Sequence, residues 1–106
     1  MDAVSIAQLQ QRLTDGSVLL LDVRSDAEYA AAHLPGAVNI PLPQLQGQLA
    51  RLSAERGIVA YCSDPHCVLS VQAAALLGRS GFSVAHLRGG FSDWQQAGLA
   101  LETAAA

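Results

Sequence analysis

The chain has 106 residues, 51% hydrophobic and 14% charged, with six arginines, no lysine and a formal net charge of −3. That size predicts one domain able to bury roughly two thirds of its unfolded surface without metal or a disulfide framework. The acidic balance argues against nucleic acid or an anionic membrane surface as partner, since both need a basic footprint.

No apolar run approaches the roughly eighteen residues of a membrane span. The start Met1-Asp2-Ala3-Val4-Ser5 lacks the basic and apolar stretches of a secretion signal. A cytoplasmic protein is therefore expected, and two cysteines there are more often reactive than structural.

Ser5-Ile6-Ala7-Gln8 has the form of a capping box, opening a helix with Ile6, Leu9 and Leu13 on one face and Asp15-Gly16 as its stop. Residues 17–23 form a mainly apolar stretch of strand length, with Val18 to Leu21 continuous and Asp22 the one charge, as expected for a strand buried on both sides. A second capping box, Ser25 to Glu28, opens a short helix ending near Ala32. After the turn Leu34-Pro35-Gly36, residues 37–40 read as a short strand. Pro43 suits the first position of a helix carrying Leu45, Leu49 and Leu52.

Ile58-Val59-Ala60-Tyr61 is a β-prone run that ends at Cys62. The polar segment Ser63-Asp64-Pro65-His66-Cys67 follows, and from Val68 a helical pattern with Leu69, Ala73, Leu76 and Leu77 on one stripe runs to Gly81. Residues 82–87 read as another strand. Gly89-Gly90 makes a turn, and a last short helix includes Phe91 and Trp94, with Ser92 as its candidate cap. Strands and helices alternate, which predicts an α/β fold with a mostly parallel sheet and helices on both faces. Ligands of such sheets bind at the carboxyl ends of strands. Cys62 occupies one of those ends, where loop amides and a helix start favour negative charge and therefore the reactive thiolate.

With these elements placed, the sequence resembles the rhodanese (sulfurtransferase) domain family from about Val4 to Leu101. Three blocks carry the resemblance. The first is Leu21-Asp22-Val23-Arg24 with Glu28-Tyr29 and His33 through Pro41. The second is Tyr61-Cys62 with its loop and Ala-rich helix. The third is Leu87 through Phe91 with Trp94 and Ala97-Gly98-Leu99.

The resemblance implies a single rhodanese-like domain over residues 1–106, with core 4–101, a frayed tail 102–106 and a mainly parallel five-stranded sheet. It implies that Cys62 takes sulfur from thiosulfate or a related persulfide donor as a cysteine persulfide and passes it to cyanide or a thiol, a thioredoxin-like protein among the candidate acceptors. Main-chain amides of Ser63, Asp64, Pro65, His66, Cys67 and Val68 would cradle the outer sulfur. No cofactor is implied. The loop departs from the family's common Cys-Arg-x-Gly-x-Arg-Ser: both arginines are absent. Its Cys-x-x-Pro-x-Cys spacing is similar to rhodanese domains attached to arsenic-type repressors, which leaves a regulatory module sensing redox state or sulfur through Cys62 and Cys67 as the alternative.

Cys67 is either a resolving thiol that closes a disulfide with Cys62 or a small residue under the first helical turn. Asp22, Arg24 and Glu28, at another strand end, are candidate supporting residues. Arg24 either faces the donor's anionic end or pairs with Asp22 or Glu28 as a brace. His33 reads as a structural hydrogen-bonder, Trp94 and Phe91 as core, and Arg88 as a solvated charge. Cys62, Cys67, His66 and His33 lack the paired spacing of a zinc site, so no metal is expected. A phosphatase would need arginine six residues after Cys62, where Val68 stands.

Overall fold

The structure, a computed structural model, describes residues 2–64 and 66–104. Five strands form one sheet: β1 (Asp2–Val4), β2 (Val18–Asp22), β3 (Val38–Asn39), β4 (Gly57–Tyr61) and β5 (Val84–Leu87), in the order β1-β5-β4-β2-β3. Every pairing is parallel. The helices are α1 (Ile6–Asp15), α2 (Asp26–Ala31), α3 (Leu42–Leu45), α4 (Leu69–Arg79) and α5 (Gly90–Gln96).

The apolar runs in β2 and β4 are explained by burial on both faces. Leu20, Val59 and Tyr61 point to one side, where Val4, Leu9, Leu87 and Trp94 complete a core. Leu21, Ile58 and Ala60 point to the other, against Leu45, Ala73 and Leu77. The two capping boxes form as expected: Ser5 and Ser25 accept from the amides of Gln8 and Glu28, whose side chains reach back to the cap amides.

Four features differ from the sequence expectation. β1 is three residues of edge strand on β5, in register Asp2↔Ala85 to Val4↔Leu87, and is too short to show a period. The helix expected from Pro43 through Leu52 is α3 followed by 3-10 turns over Gln46–Arg51, with non-helical angles at Gln48. Gly47 sits there, and glycine in a helix interior costs about 1 kcal/mol relative to alanine. The last helix starts two residues before Ser92, with Gly89 at its cap. Of the tail expected to fray, residues 102–106, the part up to Ala104 is tied down: Glu102 exchanges backbone bonds with His33 at 2.8 and 2.9 Å, and Ala104 N–H donates to the Ala30 carbonyl at 3.1 Å, while residues 105–106 lie outside the described residues.

Candidate active site

Sheet order creates the site. The chain leaving β2 turns toward β3, whereas the chain leaving β4 turns toward β5, so the winding reverses between their neighbouring carboxyl ends, the position at which ligands of such sheets bind. Residues 22–28 lie at the first of these ends, and residues 62–64 and 66–68 at the second.

On the first side the chain builds a buried ionic brace. Asp22 is fully enclosed and Arg24 is 4% exposed. The Arg24 guanidinium donates to both Asp22 oxygens, the closest at 2.7 Å, and to the Ala32 carbonyl at 2.7 Å. It also lies 4.4 Å from the centre of the Phe91 ring, a cation–π contact. The Tyr61 hydroxyl donates to Asp22 Oδ2 at 2.6 Å and accepts from the Leu34 amide at 3.1 Å.

Burial acts to lower the Arg24 pKa, but the hydrogen bond and charge of Asp22 outweigh it and hold the guanidinium above its ordinary value. Burial pushes the Tyr61 phenol up, and the Asp22 charge adds to the effect. Of the two roles open to Arg24, the geometry supplies the brace: its partner is Asp22, and its side chain is enclosed.

On the second side Cys62 directly follows β4 and is 2% exposed. Its sulfur is bonded to that of Cys67, with Cα atoms 6.2 Å apart, inside the range of about 4.4–6.8 Å that disulfides need. Between them Asp64 shapes the turn: its carboxylate accepts from the His66 amide at 2.8 Å and its carbonyl from the Cys67 amide at 3.1 Å. His66 and Val68 are exposed, as is Val71 in the first turn of α4. Pro65 lies outside the described residues.

The two sides are joined through Glu28, which accepts from the Ser63 hydroxyl at 3.1 Å. Desolvation acts to raise the Glu28 pKa, but bonds from the Ser25 amide and from the Ser63 and Ser25 hydroxyls, with the Arg24 charge, hold it below its ordinary value.

The α5 N-terminus also grips the loop. Phe91 N–H donates to the Cys62 carbonyl at 2.8 Å and Ser92 N–H to the Ser63 carbonyl at 2.9 Å. These bonds satisfy first-turn amides that a side-chain cap would otherwise serve, which is why Ser92 is not the cap. Gly90 makes the approach possible: its φ is +63°, and a Cβ there would meet the Cys62 carbonyl oxygen at 2.5 Å. Sequence reasoning assigned Gly89-Gly90 to a turn and Tyr61 to a strand. Their common signal is adjacency, since one pair precedes a helix and the tyrosine precedes the cysteine.

Two further residues lie at the margins. His33 stacks on Tyr29 with ring centres 3.7 Å apart, and its Nδ1 pairs with the Tyr29 carbonyl at 2.8 Å. Arg88 is exposed. It borders a cavity of about 150 Å³ shared with Asp64, Cys67, Ser70, His86 and Gly90. Among the described residues no three His, Cys, Asp or Glu side chains gather to hold a metal ion, and no helix is long and apolar enough to cross a membrane.

The model of the rhodanese-like domain matches residues 5–97. The chain is 37% identical over 93 residues to a protein of Allochromatium vinosum named sulfurtransferase, covering 86% of this chain and 85% of that one. It is 41% identical over 104 residues to the HTH-type transcriptional regulator Rv0324 of Mycobacterium tuberculosis; this covers 98% of the chain but 46% of the regulator, so the chain spans less than half of that relative's length. Among solved structures, the BH2092 protein of Bacillus halodurans superimposes with a TM-score of 0.91 at 31% identity, covering 97% of this chain and 77% of that one.

Proposed function

The chain belongs to the rhodanese-like domain family, and from that premise we propose that it is a sulfurtransferase working through a persulfide on Cys62. The Cys62 thiolate attacks the outer sulfur of a donor such as thiosulfate. The donor's S–S bond breaks, sulfite leaves with the electron pair, and the outer sulfur stays on Cys62. A thiol or cyanide then attacks that outer sulfur, carries it away and restores the thiolate.

The observation that carries this reading is the place of Cys62: it directly follows the central strand, at the reversal of winding, in a loop bonded to Glu28 and to the start of α5. The persulfide is cradled by main-chain N–H groups of segment 63–68, to which Pro65 contributes none. The amides of His66 and Cys67 become available to it when the reduced loop exchanges its Asp64 contacts. Asp22, Arg24 and Glu28 act as supports. Because the disulfide-bonded sulfur is no nucleophile, the cycle begins with reduction by a thiol, which suits a reducing cytoplasm.

The test is thiocyanate formation from thiosulfate and cyanide after reduction. Wild type should produce it and Cys62→Ser should not. Equal rates in the two proteins would remove Cys62 from the mechanism.

A second reading, a module that reports redox state or sulfur through Cys62 and Cys67, is favoured by the bond between them and by likeness to a transcriptional regulator. It predicts formation and reduction of the disulfide without sulfite release from thiosulfate.

A further inference from the structure

We propose that Cys67 decides the product of the reaction, diverting the sulfur on Cys62 from transfer to release as hydrogen sulfide; this rests on the Cys62 persulfide. The two sulfur atoms already meet in a loop whose backbone holds the Cα atoms 6.2 Å apart, so closure needs no distant segment to move in.

The step is balanced without an external oxidant. The Cys67 thiolate attacks Sγ of the persulfide Cys62–S–SH. The bond from Sγ to the outer sulfur breaks, that sulfur leaves as HS⁻ with the electron pair, and the Cys62–Cys67 bond forms. The outer sulfur gains two electrons, and the two cysteine sulfurs together lose them. A dithiol then reduces the pair, becoming a disulfide itself. Over a full cycle, thiosulfate and a dithiol give sulfite, hydrogen sulfide and the oxidised dithiol.

Accessibility sets the direction of that last exchange. Cys62 is 2% exposed, whereas Cys67 is half-buried and borders the cavity with Ser70, His86 and Arg88. The dithiol therefore attacks the Cys67 sulfur and Cys62 leaves as thiolate, ready for the next donor. The Glu28, Phe91 and Ser92 bonds hold the Cys62 end of the loop throughout.

The experiment is a single turnover. Reduced protein, freed of reductant under argon, is mixed with thiosulfate alone, with a donor-free control. Sulfite, sulfide and intact mass are then measured. Wild type should release about one equivalent each of sulfite and sulfide per chain, lose two hydrogens in mass and carry the 62–67 bond on peptide mapping. Cys67→Ser should release sulfite, keep one added sulfur and release no sulfide. With cyanide and no reductant, wild type should stall early while Cys67→Ser continues; dithiothreitol should restart wild type.

Wild type that keeps the added sulfur and releases no sulfide overturns the role of Cys67 while leaving the persulfide intact. Absence of both sulfite and added sulfur in wild type overturns the persulfide and this inference together. Should the variant not fold, the wild-type stoichiometry and mass alone decide.

Discussion

The ends of β2 and β4 are neighbours in the sheet but are secured by different physics. At the end of β2, a buried carboxylate, guanidinium and phenol satisfy one another away from water. At the end of β4, the loop is secured by main-chain bonds from α5, one bond to the exposed Glu28 and a covalent sulfur link. The first arrangement has one stable state, because any lost partner leaves a charge stranded in low dielectric. The second can exchange its hydrogen bonds at little cost, as the proposed persulfide cycle would require of its loop. A rigid brace thus supports a convertible loop.

The contrast is broken most severely at Asp22. Asp22→Ala should cost about 3–5 kcal/mol, the price of an unpaired buried guanidinium, visible as a lower denaturant midpoint; a loss within experimental error would show that Arg24 finds another partner.

Gly90→Ala tests the seam between the two regions. A side chain at φ +63° meeting the Cys62 carbonyl should cost about 1–3 kcal/mol and depress thiocyanate formation further than stability alone explains. Unchanged turnover would show that the α5 grip does not position the loop.

Tyr61→Phe leaves the buried Leu34 amide without its acceptor, a loss of about 1–3 kcal/mol. The raised phenol value also sets a pH dependence. Tyr61 binds its proton more tightly in the folded state, so its contribution is whole below the ordinary value of about 10 and drains away as pH climbs above it. Wild type should weaken in that alkaline window and Tyr61→Phe should weaken less; parallel curves would assign alkaline unfolding to another group.

Glu28→Gln should have the smallest effect, within about 0.5 kcal/mol of wild type, as for most surface substitutions. Glu28 has a lowered folded value, so the stability it contributes is present above the ordinary carboxylate range and lost as pH falls through the lowered value. The acid limb of the thiocyanate rate profile should flatten in the variant, and an unaltered limb would detach Glu28 from the loop.

How much of this was legible depended on how local the cause was. Capping boxes, the β4-loop-α4 succession and the cysteine at a strand end are written in neighbouring residues. Edge strand β1 was not, because three residues carry no period and its partner lies more than eighty positions away. The choice between two roles for Arg24 was equally invisible, since chain order does not show whether the guanidinium turns to a donor's anionic end or to a neighbouring carboxylate. Only the fold shows the guanidinium paired with Asp22 and set beside the rings of Tyr61 and Phe91, with their centres 5.5 and 4.4 Å away.

The amino-acid sequence by itself determined the alternation of strands and helices, the double burial of β2 and β4, and the placing of a candidate nucleophile at position 62. All three follow from hydrophobic spacing and local hydrogen bonding. Tertiary structure alone decided that Asp22, Arg24 and Tyr61 form one brace, that α5 grips the Cys62 loop, and that Cys67 turns inward to Cys62. Those pairings join strand ends and a helix start that only the folded sheet brings within bonding distance.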